Sequence, residues 1–324
     1  MRIRCNQRAG FTLLEMMIVV AILGVLTAQL FVVFANQKRV FMSNERALDV
    51  QESSRLTLDL VSFDARMAGF MVPTWTAVSS QDGGTAKSDR LCVSSLSSFV
   101  QPGTPSLDEK VSRFNGAQVT AVSTNSVSVD STDLDGAAPT PDFQVGAGVI
   151  VASASKTYCG IVATVTANQI TFASTESAST ALGAVTPDMR AVPANVYVLD
   201  EGLMELRRNG LLLASQIEDF QVEYWLDNKG LPNGVEDGDG EFPVNNLASP
   251  DPPGGAIPAS NGAIRRVRVS VTARTIREES AGARSFLRPA LANRIAGTAA
   301  DNFRRRTFSA SILPRNLVAI GDNP

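Results

Sequence analysis

One carboxylate in this chain sits where a carboxylate is costly. Across residues 11–35 the only ionisable side chain is Glu15, and the rest of the run reads as a membrane helix. A charge at bilayer depth costs about 2.5–3.5 kcal/mol even on mild insertion scales, so such a group keeps a partner and a task. Arg2, Arg4 and Arg8 precede the run. By the positive-inside rule they hold the N-terminus in the cytoplasm, so the bulk of the chain is exported. As a helix, residues 11–35 extend about 37 Å at 1.5 Å per residue. That spans a hydrocarbon core of about 30 Å. The run also admits an ordinary secretory signal, with Val33-Phe34-Ala35 as a small-residue cleavage site. N-terminal sequencing separates the two, because such a signal leaves a chain starting at Asn36.

Other reactive groupings are sparse. The 324 residues contain no histidine, which excludes Ser-His-Asp and Cys-His devices and His-ligated zinc. There is no phosphate-cradling glycine loop, no CxxC and no G-x-S-x-G, so no enzymatic activity is expected. Asp227, Asp237, Asp239 and Glu241 alternate with glycines, and oxygen ligands spaced in this way suit Ca²⁺. The order is not that of an EF-hand, and a solvated Asp-Gly turn is the competing reading. The runs Arg265-Arg266-Val267-Arg268 and Arg304-Arg305-Arg306 suit the solvated face of strands, with Arg–carboxylate pairs across strands, better than a nucleic-acid patch.

The elements that must position these groups fall into two kinds. No Pro or Gly interrupts residues 25–68, so the helix is expected to continue past Lys38 and Arg39. At 100° per residue Ala47, Val50, Ser54, Leu58, Val61, Ala65 and Ala68 form one stripe, and Leu56, Leu60, Phe63 and Met67 a second on the opposite side. Two opposed stripes predict a helix gripped by its own domain and by neighbouring subunits; the alternative is a helix buried wholly in its own domain. Gly69 and Pro73 end it. Beyond that the pattern is β, with short strands over 117–122, 126–130 and 143–152 and hairpins over 158–173 and 196–207. Residues 217–226 and 265–276 alternate as half-buried strands, with Val267, Val269, Val271 and Ala273 inward and Arg266, Arg268, Ser270, Thr272 and Arg274 outward. A last strand over 304–313 runs into Pro314. Segments 131–141 and 174–186 read as surface loops.

The N-terminal residues Gly10-Phe11-Thr12-Leu13 and Glu15, behind a basic leader, resemble those of type IV prepilins and type II secretion pseudopilins. The resemblance implies cleavage by a prepilin peptidase between Gly10 and Phe11 and N-methylation of Phe11. It implies that Glu15 pairs with the Phe11 amine of a neighbour and sets axial register in a helix stack. Removing the leader's three arginines leaves 26 basic against 32 acidic side chains, a net charge of −6, which argues against nucleic acid as a partner. Cys5 goes with the leader, leaving Cys92 and Cys159, which either bridge in an oxidising compartment or stay as separate buried thiols.

Ile217-Glu218-Asp219-Phe220-Gln221-Val222-Glu223-Tyr224 and the ending Pro314-Arg315-Asn316 resemble the C-terminal part of PilW-type minor pilins. The expected fold is α+β and pilin-like, a long N-terminal helix packed on a β-rich head. Its divisions are a leader (1–10), a membrane helix (11–35), an amphipathic continuation (36–68), a β-rich elaboration (69–195) and an antiparallel sheet (196–324). The resemblance implies a minor pilin that helps start type IV pilus assembly with other minor and major pilins and an inner-membrane assembly platform. It would move from the inner membrane, head in the periplasm, to a filament serving adhesion, twitching motility or DNA uptake. A minor pseudopilin of type II secretion shares every N-terminal feature, and a membrane-anchored periplasmic binding module is the reading from outside this class. No cofactor beyond the candidate Ca²⁺ is implied.

Overall fold

The structure, a computed structural model, describes residues 12–70, 72–73, 76–95, 98, 115–134, 142–153, 156–173, 177–226, 243–244, 264–276 and 285–318. The chain divides into two compact units, residues 1–49 and 50–324.

Helix α1 is one element, Leu13–Met67, long and apolar enough near its start to cross a membrane by length and composition. In the first unit its apolar side chains, from Leu13 through Phe34 to Phe41, are exposed. In the second unit the helix ends where periodicity and glycine chemistry place the stop. Gly69 takes φ +79°, and an added Cβ would lie 3.2 Å from Leu317. Only glycine fits there without strain.

The second unit is a β-rich head, with fourteen strands among the described residues. β1 (Val78–Gln81), β2 (Arg90–Val93), β3 (Ala117–Val122), β4 (Ser126–Val129), β5 (Gly148–Ala152), β6 (Thr157–Thr166), β7 (Gln169–Phe172), β8 (Arg190–Asp200), β9 (Glu205–Arg208) and β10 (Leu211–Ser215) form one antiparallel sheet. Within it β8–β3–β4–β7–β6–β5 returns to β8, so six strands close a barrel. The helical turn α2 (Ala178–Leu182) packs on this barrel and buries Ala178 and Leu182 in its core. β8 changes partners along its length. Residues 190–194 pair with β5, and residues 195–198 pair with β2. Pro193, which has no N–H to give a ladder, sits beside the switch, and its carbonyl accepts from Ser94 Oγ at 2.6 Å.

β11 (Ile217–Leu226), β12 (Pro243–Val244), β13 (Ile264–Arg274) and β14 (Arg305–Ile312) make a second antiparallel sheet in the order β12-β11-β13-β14. The turn α3 (Arg315–Val318) closes the described chain. One core joins Leu58, Val61, Ala65 and Ala68 of α1 to both sheets, through Leu91, Tyr197, Leu206, Phe220, Val222, Val267 and Val269 among others. A second fills the barrel and a third, around Cys92 and Cys159, lies between the barrel wall and β2.

Several expectations need correcting. The division at 195/196 falls inside β8, so the elaboration and the β8–β9 hairpin share one sheet. The segments read as surface loops contribute buried Thr132, Leu134, Ala178 and Leu182. The strand expected over 143–152 begins only at Gly148, because residues 145–147 turn, with Gly146 at φ +85°. Ser270 and Thr272 are buried rather than outward: each pairs with a hydroxyl on β14, Ser309 at 2.8 Å and Thr307 at 3.0 Å. Arg305 is not on a solvated face, since its side chain is 6% exposed between Glu218 and Asp301.

Candidate functional site

The candidate surface begins with the first turn of α1. Thr12 precedes the helix, its carbonyl accepts from Met16 N–H at 3.2 Å, and its Oγ1 accepts from Glu15 N–H at 3.3 Å. This is half of a capping box, and the T-x-x-E spacing that announces it is present in the sequence. Glu15 therefore stands in the first turn, where the helix dipole favours an anion. It is exposed, as are Leu13, Leu14, Met16 and Met17 around it. Further along, Thr27 Oγ1 donates to Leu23 O at 2.7 Å, so its hydroxyl is satisfied inside the helix, as an apolar environment requires.

In the head, the last five turns of α1 present two different faces. Ser54, Leu58, Val61, Ala65 and Ala68 are buried, whereas Leu56 is 69% and Phe63 59% exposed. Leu60 and Met67, on the same side as these two, are half-buried. Asp64 fixes the angular setting of the helix. It is buried and its Oδ2 accepts from Tyr197 Oη at 2.7 Å, Arg208 Nε at 3.0 Å and Arg208 Nη2 at 2.8 Å. Burial, with the charge and hydrogen bond of Asp64, pushes the Tyr197 phenol above its ordinary range, so it stays a donor at every physiological pH.

The two sheets are tied by a polar seam. Asp219, fully buried, accepts from Arg288 (3.0 Å), Arg294 (2.9 Å), Ser88 Oγ (3.1 Å) and Gln221 Nε2 (3.0 Å). Two arginines and two neutral donors give this buried carboxylate the hydrogen-bond partners that burial demands. Beside it Asp89 accepts from the Gly83 and Val222 amides at 3.0 and 2.8 Å, and the charges acting on it, those of Asp82 and Asp219, are negative. Burial, outweighing those two amides, pushes the Asp89 carboxyl up to about 8. Across β11 and β13, Glu223 takes a bidentate pair from Arg268 at 2.7 and 2.8 Å, and Trp225 lies against Arg266 and Arg268, 4.3 and 4.9 Å from ring centre to guanidinium carbon.

Of the residues singled out in the sequence, the structure brings together Cys92 and Cys159, joined as a disulfide between β2 and β6. Gly10 and Phe11 lie outside the described residues, as do Asp227, Asp237, Asp239 and Glu241 of the candidate calcium loop. The Asp64–Tyr197–Arg208 cluster was not foreseen. Asp64 interrupts an otherwise apolar and small-residue face of α1, and that interruption was the available signal.

A family model described as the prokaryotic N-terminal methylation motif matches residues 5–28. No curated protein matches. Among solved structures the chain is similar to a type IV-like pilin from Thermus thermophilus at 12% identity, over 82% of this chain and 96% of that one, with a TM-score of 0.29. The segment that holds Gly10, Phe11 and Glu15 is thus the prokaryotic N-terminal methylation motif, and it leads into a long apolar helix and a β-rich head.

Proposed function

We propose that this chain is a type IV pilin-like subunit and, within that class, a minor pilin that helps to start pilus assembly. The observation that carries this is the methylation motif at 5–28, set on a helix whose apolar side chains are exposed. A prepilin peptidase cuts between Gly10 and Phe11, and the new amine of Phe11 is methylated. Until assembly the helix anchors the protein in the inner membrane with its head in the periplasm. In the filament, Glu15 meets the Phe11 amine of a neighbouring subunit. An unpaired carboxylate at that depth is penalised, so the pair favours one axial register over its neighbours. The role is assembly, not catalysis, and the partners are other minor and major pilins.

Glu15→Ala tests the register directly. The variant is expected to insert in the membrane at normal levels while incorporation into filaments and piliation fall; normal piliation would defeat the register role. Replacing residues 11–35 with an unrelated membrane span is the complementary test. A filament subunit loses incorporation, whereas a tethered periplasmic binding module keeps its activity.

A further inference from the structure

Outside the barrel the strand edges among the described residues include β1, β10 and β14, and these are finished differently. β1 buries Val78, Ser79 and Ser80. β14 turns Arg306, Thr307, Ser309 and Ser311 outward. Charged, polar or covered edges are how soluble proteins prevent strand addition. β10 has none of these features: Leu211 is 75% and Leu212 58% exposed, and no ionisable side chain or proline occurs from Leu211 to Ser215. Asn209 (φ 52°) and Gly210 (φ 78°) make the two-residue turn that joins β9 to β10. Such a turn makes Arg208–Leu211 the closing hydrogen-bonded pair, so at the next rung, Arg207–Leu212, the N–H and C=O of Leu212 aim away from β9. Among the described residues no strand pairs with β10 on that side.

We propose that β10 is an interface for a second copy of this chain, pairing antiparallel with its own counterpart about a two-fold axis at Leu212. Unpaired edge amides and carbonyls select an extended backbone as occupant. The copy's own β10 suits the site because an uncharged strand laid against itself sets no like charges opposite one another, and it places leucine beside leucine. The register shift between Leu212 and Ala214 limits the ladder to a few rungs, which makes the contact short and reversible and keeps it from propagating. The contact is isologous, hence closed at two copies. It extends the assembly reading above by naming a step before filament entry. Its readout is a dimer in the membrane, so it can fail while the Glu15 result stands, and the reverse.

The test uses the full chain in its membrane, in a Cys5→Ser background so that no leader thiol remains. Leu212→Cys places two thiols at the axis, where the Cα separation of about 5.5 Å for a hydrogen-bonded antiparallel pair lies within disulfide range. Mild oxidation is expected to give a covalent dimer of Leu212→Cys and none of Thr307→Cys on β14. A second measurement needs no cross-link: Leu212→Lys sets like charges across the axis and is expected to weaken dimerisation of detergent-solubilised protein at least tenfold. Leu212 is exposed, so neither change threatens the fold. Equal cross-linking at both positions, cross-linking only to a different protein, or a dimer indifferent to Leu212→Lys overturns the proposal.

Discussion

The helix is built in two ways along its length. In the first unit, up to Asp49, its large apolar side chains are exposed on every side; from Val50 to Met67, in the second, one stripe is buried and its opposite is not. The first pattern suits lipid or a bundle of like helices, where no side needs to be polar. The second suits a helix that serves two masters, a domain on one face and a neighbour on the other. Burial also separates residues of equal hydrophobicity: Leu58 and Leu56 are two positions apart, and only Leu58 is sequestered.

Experiments can break or sharpen that contrast. The largest effect is expected from the disulfide, which is part of the head and independent of the membrane segment. The bridge closes a sequence separation of 67 residues. On the chain-entropy model this is worth about 4 kcal/mol, so Cys92→Ala with Cys159→Ala should lower the melting temperature of the head markedly. Leu58→Ala, which empties a buried site, is expected to cost about 2–5 kcal/mol in denaturant titrations. Asp64→Ala leaves Tyr197 and Arg208 without their acceptor and should cost about 1.5–3 kcal/mol, whereas Asp64→Asn recovers part of that.

A smaller, pH-dependent effect belongs to Asp89. Its carboxyl titrates near 8 in the fold against 3.8 when unfolded. Between those values the folded head holds a proton that the unfolded chain has lost, so stability falls as pH rises from about 4 to about 8, and below that window the group adds no slope. Because the chain has no histidine, few other groups titrate there, and Asp89→Asn should flatten the slope in urea midpoints taken across that range. The smallest effect on stability is the most telling one for the contrast. Phe63→Ser, on the exposed stripe, should stay within about 0.5 kcal/mol of the parent yet reduce incorporation into filaments. If Phe63→Ser destabilises the head as Leu58→Ala does, the two-faced helix is wrong.

The helix and its two faces were legible because a 3.6-residue period survives in the sequence over five turns. β11 and β13 were legible through alternation, although Ser270 and Thr272 were placed outward because their partners on β14 are distant in the chain. β1 and β2 escaped notice because Ser79, Ser80 and Arg90 blur any period of two in four-residue strands, and β10 because three leucines in succession show none. Closure of the barrel was illegible, since it rests on the pairing of β5 with β8, some forty residues on, which no local pattern specifies. At the N-terminus the charge of Glu15 marks the site by itself, while the Thr12 hydroxyl that caps the same turn is marked only by the T-x-x-E spacing.

The strand that changes partners has a consequence for how this head can evolve. Cutting away the barrel strands would leave residues 190–194 of β8 with bare hydrogen-bonding rims. A shorter relative built on the same plan must therefore either trim that strand as well or find another chain segment to clothe it.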